Sequence, residues 1–375
     1  MWGMFDNAVD VCREGESVVI PPGQNILLDV SPPKLVLIII EGTLQFDDTS
    51  DIHLQASYIF VRGGHLIVGT EDEPFQNIAT ITLHGHPTTE KELPLYGAKN
   101  IAIRYGKLDM HGAPKTPTWT QITQTVEEGD TVLNLKEAVN WKVGDKIVLA
   151  STSYDFEEAE ELTVVGVDGK TLEVDPPIKY RHFGELLEYG DREIDMRAEV
   201  GVLTRNVVVQ GDESSIKSQW GAHIMLHSPG EGTSVGRISY IECRLCGQAF
   251  NLGRYPIHFH LLGSIHKSYV RGCAIHHTFN RAVTIHAVKY FTVEHNVAYN
   301  NMGHAFFIED AIEENNRVRN NLGLVTRPSS SLLDTDTTPA TFWITHPTNY
   351  FEGNHAAGSA RQVFFSSCRT TLQKI

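Results

Sequence analysis

The sequence predicts an all-β protein, a right-handed parallel β-helix (solenoid) with a small antiparallel β insertion. Three stretches carry the same pattern of a turn followed by a short apolar strand: Tyr255–His260, Arg281–His286 and His304–Glu309. The last two lie 23 residues apart. A repeat of that length, with an apolar strand in every unit, is typical of a stacked β-solenoid. Helix signals are nearly absent, because Gly, Asn, Asp and Pro interrupt the apolar runs.

The first region, residues 1–117, has a repeat of its own. Gly42, Gly64 and Gly106 each begin a Gly-X-Leu tripeptide, at gaps of 22 and 42 residues, which correspond to one coil and two coils. Glycine at the corner of a coil allows stacked backbones to approach closely. We therefore expect a solenoid from the start of the chain.

The middle region, residues 118–185, has a different pattern. Thr131–Leu135, Lys146–Ala150 and Leu162–Val167 alternate apolar and polar side chains, and Gly-containing turn signals separate them. Alternating strands joined by such turns favour antiparallel pairing. We expect a small antiparallel subdomain set into the solenoid.

Residues 186–358 return to the solenoid pattern. Seven asparagines crowd its turns, and we expect them to stack as ladders at the corners: Asn296, Asn300, Asn301, Asn315, Asn316, Asn320 and Asn321. Leu324–Pro339 is rich in Ser and Thr and predicts a loop that lies over one face of the solenoid. Residues 359–375 are predicted to be a tail that diverges from the solenoid pattern.

Alternation along the three repeated strands sorts their side chains between two faces. Phe259, Ile285 and Ile308 fall on one face and are expected to stack inward. His260, His286 and Glu309 fall on the other, one for each coil. Since neighbouring coils stack about 4.8 Å apart, these polar groups are expected to lie close enough to share one ion or one saccharide unit.

Charge and composition exclude several kinds of partner. The net charge of −15 argues against nucleic acid and against anionic membrane surfaces. The longest apolar run, Leu35–Ile40, is far shorter than the roughly 20 residues that cross a bilayer, so no membrane insertion by this segment is expected. A polyanionic sugar would need a locally basic groove or a bound cation such as calcium; no other cofactor is assigned. Cys243 and Cys246 have CxxC spacing, but without a second pair they favour a core position.

Long motifs in both halves resemble a known family. Glu16–Gln24, Ile81–His86, Leu108–Gly112 and Trp141–Thr152 resemble the eight-glycine domain. The parallel β-helix that follows that domain is matched by Arg197–Arg205, Gly253–Leu261, Tyr269–His277 and Phe306–Asp310. The combination is most similar to the fibrocystin-L family and more distantly to cell-surface hyaluronidases and cell-migration-inducing hyaluronan-binding proteins. The tail, residues 359–375, departs from the family pattern.

The resemblance implies an extracellular or cell-surface module of a larger membrane-anchored or secreted protein, with hyaluronan as a candidate ligand. Glycosidic hydrolysis commonly needs two carboxyl groups, for which Glu309 and Asp310 are the candidate catalytic pair. Neighbouring strand residues point to opposite faces, so both can serve one cleft only if the strand ends or bulges there. Asp334 or Asp336, on the predicted loop Leu324–Pro339, which we call the excursion loop, is the alternative second carboxylate.

The remaining candidate residues would bind the substrate. His258, His260 and His286 could hold a sugar, transfer protons or ligate a metal together with Glu309. Arg254 and Arg281 lie at the entry to the repeated strands and could neutralise a sugar carboxylate. Three functions stay open at this point: a module that binds a carbohydrate or a surface protein, a hyaluronan-degrading endoglycosidase, and a structural stalk.

Overall fold

The computed structural model describes residues 12–88, 91–229, 233–330 and 334–366. Within these residues the chain winds through three parallel sheets, numbered 1 to 3 here, and each coil pairs with the one before it. From Ile241 onward each coil passes through sheet 2, then sheet 1, then sheet 3. The predicted all-β parallel β-helix with an antiparallel insertion is confirmed.

Sheet 1 contains the three repeated strands. Its members are Val18–Ile20, Leu35–Ile40, Ile52–Arg62, Asn100–Arg104, His223–His227, Ile257–Ser264, Val283–Lys289, Phe306–Ile308, Ala340–Ile344 and Gln362–Ser366. The last strand, Gln362–Ser366, continues sheet 1 into residues 359–375, the tail that was expected to diverge. Residues 367–375 of that tail lie outside the described part of the chain.

Sheets 2 and 3 complete the coils. Sheet 2 consists of the first half of Ile52–Arg62, then Ala79–Leu83, Val207–Gly211, Ile241–Arg244, Ala274–Thr278, Val297–Met302, Leu322–Arg327 and His355–Ser359. Sheet 3 consists of Asn25–Leu28, Thr43–Phe46, His65–Val68, Lys107–His111, Val235–Ser239, Tyr269–Arg271, Thr292–Glu294, Arg317–Arg319 and Tyr350–Glu352.

The core fills the space inside the three sheets. Phe259, Ile285 and Ile308 are buried there as expected, and none of the three is more than 2% exposed. Cys243 and Cys246 are free thiols in the same core. At the corners of the early coils, a Cβ added to Gly64 would lie 2.4 Å from the carbonyl oxygen of Gly42. The repeated glycines are therefore required by the close approach of successive coils.

The antiparallel insertion is a six-stranded sheet, in the order Trp119–Gln121, Glu199–Val202, Lys146–Leu149, Glu160–Asp168, Thr171–Asp175 and Val132–Asn134. It has its own apolar core, and it docks on the solenoid through hydrogen bonds from Trp119 Nε1 to Asn320 O at 2.7 Å and from Thr118 Oγ1 to His295 O at 2.6 Å. Leu186–Tyr189 and Arg192–Asp195 form an exposed hairpin beside it.

Helix is scarce in the described residues. A short α-helix spans Ser214–Ser218, and 3₁₀ turns span Phe156–Glu158 and Asp334–Thr337. None of the helices in the described ranges has the length and apolar character needed to cross a membrane.

Asparagine ladders fix the register of the coils, and Asn296, Asn316 and Asn321 of the predicted set take part in them. Asn300 and Asn301 make other contacts instead: Asn300 accepts from Arg327 Nε, and Asn301 donates to Gly303 O. Asn296 Nδ2 donates to Asn321 Oδ1 at 2.9 Å, and Asn321 Nδ2 donates to Asn354 Oδ1 at 2.9 Å. Asn316 and Asn349 form a second ladder at another corner. Each amide also donates to a backbone carbonyl of the preceding coil, such as Asn321 to Val293 O at 3.0 Å. The ladders therefore satisfy backbone groups where the chain turns.

Replacing Asn321 by Ala is expected to lower the free energy of unfolding. Asn321 is fully buried, and its Oδ1 accepts from both the backbone N–H and the side chain of Asn296. Each buried polar group left without a partner costs about 1–3 kcal/mol. Urea unfolding followed by circular dichroism measures the loss. Asn25→Ala, at an exposed strand position, is the control, and an equal loss in both variants would contradict the ladder's role.

Candidate functional site

The repeated strands of sheet 1 stack in the predicted register. Phe259 pairs with Ile285, which pairs with Ile308 on the next coil, and His260 pairs with His286. The His260 and His286 rings lie 4.6 Å apart between centroids, on the side of the sheet away from the core. The structure therefore brings these predicted polar groups together on one strip.

A further rung extends this strip in the other direction. His227 ends the preceding strand of sheet 1 and pairs with His260, with their ring centroids 5.3 Å apart. Burial, followed by the charge of Arg104, lowers the pKa of His227. His227 was not among the residues predicted from the sequence. The alternation of side chains along its strand could have indicated it, because Met225 pairs with His258 and His227 pairs with His260.

His258 lies beside His260 but is covered by the preceding turn. It is 1% exposed, and its Nδ1 lies 2.9 Å from Gly253 O, so Nδ1 carries the proton and donates to that carbonyl. Its Nε2 is buried and has no hydrogen-bond partner among the described residues. Burial holds the pKa of His258 well below 6.5, and the neighbouring His260 lowers it further. The ring is therefore neutral, with an open lone pair on Nε2.

His260 and His286 share a direct contact. Their Nδ1 atoms are 2.9 Å apart, so one ring donates a hydrogen bond and the other accepts it. Burial, and then the neighbouring His286, lower the pKa of His260 to about 3. His260 thus supplies a neutral hydrogen-bonding group at physiological pH.

Both candidate carboxylates reach the same imidazole. Sheet 1 ends on this coil at Ile308, so Glu309 and Asp310 are released from strict alternation. His286 Nδ1 lies 3.3 Å from Glu309 Oε2, and His286 Nε2 lies 2.7 Å from Asp310 Oδ2. The condition set by the sequence, that the strand ends at this point, is met. We call His227, His258, His260, His286, Glu309 and Asp310 the polar strip.

The two carboxylates have different surroundings. The Asp310 side chain is 47% exposed, whereas that of Glu309 is 15% exposed. Burial raises the pKa of Glu309 above its usual value. Its Oε2 is buried and has no hydrogen-bond partner among the described residues. Glu309 therefore holds a proton more readily than an exposed glutamate does.

The structure places Arg281 differently from the sequence expectation. Its side chain is fully buried, and it donates to both oxygens of Asp336, from Nε at 3.0 Å and from Nη2 at 2.8 Å. The guanidinium carbon lies 3.8 Å from the centre of the Phe307 ring, and Nη1 lies 3.9 Å from Glu309 Oε1. A guanidinium enclosed in this way does not reach a ligand at the surface. It instead lies beside Glu309.

Arg254 is also held by the protein, though less completely. Its Nη1 donates to Leu95 O at 3.0 Å, and Nη2 lies 3.9 Å from Glu92 Oε2. The side chain is 15% exposed. Burial lowers the pKa of Arg254, and its charge contributes to the lowered pKa of His260. Arg254 is thus a partly accessible cation near the strip.

The excursion loop is shorter than predicted, because residues 324–327 belong to the strand Leu322–Arg327 of sheet 2, and its carboxylate does not extend the strip. Asp336 is fully buried against Arg281, and its Oδ1 lies 3.7 Å from His304 Nε2. The side chain of Asp334 lies outside the described residues. The loop therefore contacts the strip through Arg281.

A second polar groove lies on sheet 2, where it meets the antiparallel insertion. It has a volume of about 850 Å³, and its lining includes Lys146, Arg205, Asp212, Arg244 and His276. This groove could not be predicted from the sequence, because its residues come from separate coils and from the insertion. Arg244 is half exposed there, at 46% of its side chain.

The fold and the strip define a parallel β-helix module with a stacked polar face. Two family models match the chain: the G8 domain over residues 2–123 and the CEMIP beta-helix over residues 219–373. The chain belongs to the fibrocystin-L-like proteins, with a G8 domain followed by a CEMIP β-helix.

Individual relatives support this assignment. Human fibrocystin-L is 44% identical over 94% of this chain, and the chain spans 9% of its length. The human cell surface hyaluronidase CEMIP2 is 38% identical over 60% of this chain, and the match spans 19% of that protein. Communication mutant protein F of Dictyostelium discoideum is 30% identical over 92% of this chain and is matched over 32% of its length. The chain thus corresponds to a small part of each relative.

Proposed function

We propose that this chain is an extracellular β-helix module that binds a carbohydrate polymer of the hyaluronan type along the polar strip. The observation that carries the proposal is the stacking of His227, His260, His286 and Glu309 on successive coils of sheet 1. With coils about 4.8 Å apart, these four rungs extend over roughly 14 Å. A row of that length suits an elongated ligand with repeated hydroxyl groups.

The chemistry of the strip fits sugar hydroxyls. A neutral imidazole offers one donor and one acceptor, which matches the donor and acceptor character of a hydroxyl group. The net charge of −15 opposes general attraction of a polyanion. Affinity would therefore come from hydrogen bonds within the strip, supported by Arg254, and we expect it to depend only weakly on salt.

Retention of high-molecular-weight hyaluronan on beads tests this function. The double variant His260→Ala with His286→Ala removes two rungs at once. Since each hydrogen bond contributes about 0.5–1.5 kcal/mol, we expect a loss of affinity on the order of tenfold. Arg244→Ala, in the groove of sheet 2, is the matched control. If only Arg244→Ala loses retention, the binding site lies in the groove of sheet 2 and not on the polar strip. If the chain retains a surface protein but no polysaccharide, the proposed carbohydrate ligand is wrong.

A second function, cleavage of the same polymer, is favoured by the two carboxyl groups that meet at His286. In this alternative Glu309 donates a proton to the leaving oxygen, and Asp310 serves as base or nucleophile. The relative CEMIP2 bears the name cell surface hyaluronidase. Hyaluronan chain length after incubation, with and without calcium, distinguishes cleavage from binding. Shortening that Glu309→Gln abolishes supports an endoglycosidase, whereas retention without shortening supports a binding module.

A further inference from the structure

Three imidazoles of the polar strip converge on one point. His258, His260 and His286 each offer a ring nitrogen, and these three atoms all lie within 4.8 Å of one another. Nitrogen ligands of a tetrahedral zinc ion, with bonds of 2.0–2.1 Å, are roughly 3.3 Å apart. The Nδ1 atoms of His260 and His286 are 2.9 Å apart. Small ring rotations would therefore bring all three nitrogens to coordination distance.

A hydrogen bond and a close contact with a carboxylate already orient two of these rings as metal ligands are oriented. His258 donates from Nδ1 to Gly253 O, which directs the lone pair of Nε2 into the cluster. His286 Nε2 lies 2.7 Å from Asp310 Oδ2, which leaves Nδ1 facing His260 and Glu309. Metal-bound histidines characteristically donate their other N–H to a carbonyl or a carboxylate, because that contact fixes the tautomer and the ring orientation.

Two buried polar atoms beside the cluster have no hydrogen-bond partner among the described residues. They are His258 Nε2, on a side chain that is 1% exposed, and Glu309 Oε2. Leaving such an atom unpaired costs about 1–3 kcal/mol. Both atoms belong to ligand types that bind zinc, and Glu309 Oε2 lies 3.3 Å from His286 Nδ1. A cation at the centre of the cluster would satisfy His258 Nε2 directly, and Glu309 Oε2 either directly or through a bound water molecule.

We propose that His258, His260 and His286 bind a divalent transition-metal ion of the zinc class, with Glu309 or a water molecule beside it as the fourth ligand. Imidazole nitrogen suits zinc and its first-row neighbours, whereas calcium takes six to eight oxygen ligands. The site therefore selects against calcium. This inference does not depend on polysaccharide binding, because the three rings converge with or without a sugar on the strip.

Metal titration of the purified chain tests the site. After treatment with a chelator and dialysis, isothermal titration with ZnCl₂ and elemental analysis should give one zinc ion for each chain. Co²⁺ should give the visible absorption of a tetrahedral site. CaCl₂ in place of ZnCl₂ should give no comparable heat. A folded chain that takes up no zinc, or that takes up calcium equally well, would overturn the proposal.

Substitutions locate the ion. His260→Gln removes a ligand from a partly exposed position, and we expect zinc affinity to fall at least 100-fold while circular dichroism stays unchanged. Asp310→Asn retains every ligand but alters the contact that orients His286, and outer contacts of this kind are worth about 10–100-fold in affinity. His86→Ala, at an exposed histidine in a turn, is the control. Equal affinity in His260→Gln and His86→Ala would place the zinc elsewhere and refute the assignment.

Discussion

Replacing Arg281 by Met is expected to lower the free energy of unfolding by about 3–5 kcal/mol, because the change leaves a buried carboxylate without its counter-charge. Arg281 and Asp336 are both fully buried and are joined by two hydrogen bonds. The guanidinium also donates from Nη1 to Tyr255 OH at 3.1 Å and stacks on Phe307. Methionine would fill much of the space but could offer none of these donors.

Two companion variants separate this mechanism from a general loss of packing. Arg281→Met combined with Asp336→Leu removes both charges, and replacing a buried ion pair by apolar groups is often neutral or stabilising. We therefore expect the double variant to recover most of the stability. Arg181→Met breaks the exposed contact between Arg181 and Glu127, where an effect of about 0–1 kcal/mol is expected. Urea unfolding of the three variants measures these differences, and a double variant less stable than Arg281→Met would refute the charge argument.

The contact between Arg281 and Asp336 also connects the excursion loop to the polar strip. Asp336 fixes the guanidinium, and Nη1 of that group lies 3.9 Å from Glu309 Oε1. Because Glu309 accepts no hydrogen bond at Oε2 within the described residues, this cation is an important electrostatic neighbour of its carboxyl group. We infer that the buried ion pair holds Glu309 beside His286.

The register of the strip could be predicted from the sequence because a solenoid converts a repeat into spatial proximity. Phe259, Ile285 and Ile308 share one phase of the repeat, so the alternation that buries them also places His260 and His286 on the other side of sheet 1. The Asn ladders follow from the same logic, since each coil turns at an equivalent position.

The features that the sequence did not predict depend on contacts between distant parts of the chain. The burial of Arg281 is set by Asp336, which lies 55 residues further along on a loop without a repeat. The turn at Gly253 that covers His258 lies in the long connection of residues 245–256, whereas the next coil has only residues 279–282 between the corresponding strands. His227 was missed because its strand follows a different turn, although its alternation matches that of His258 and His260.

Stability should fall on acidification because of His223, a fully buried histidine in sheet 1. Its Nε2 donates to Tyr96 O at 2.9 Å, and Gln248 Nε2 lies 3.4 Å from its Nδ1, so both ring nitrogens of the neutral form are used. Burial, followed by the charge of Arg254, lowers the pKa of His223 from 6.5 to about 3. Between these two values the unfolded chain binds a proton that the folded chain does not.

The folded state therefore loses stability as the pH falls below 6.5, by about 1.4 kcal/mol for each pH unit, which gives roughly 2 kcal/mol at pH 5 and roughly 3 kcal/mol at pH 4. His223→Gln keeps a donor for Tyr96 O but cannot take up a proton. On acidification from pH 7, its free energy of unfolding should therefore fall less than that of the parent chain, by roughly 2 kcal/mol at pH 5 and roughly 3 kcal/mol at pH 4. Urea unfolding at pH 7, 5 and 4 gives the comparison. His86→Gln, which replaces an exposed imidazole, controls for the removal of a histidine as such. If His223→Gln loses as much stability on acidification as the parent chain, the buried ring is not the group that resists protonation, and the acid sensitivity of sheet 1 must come from another residue.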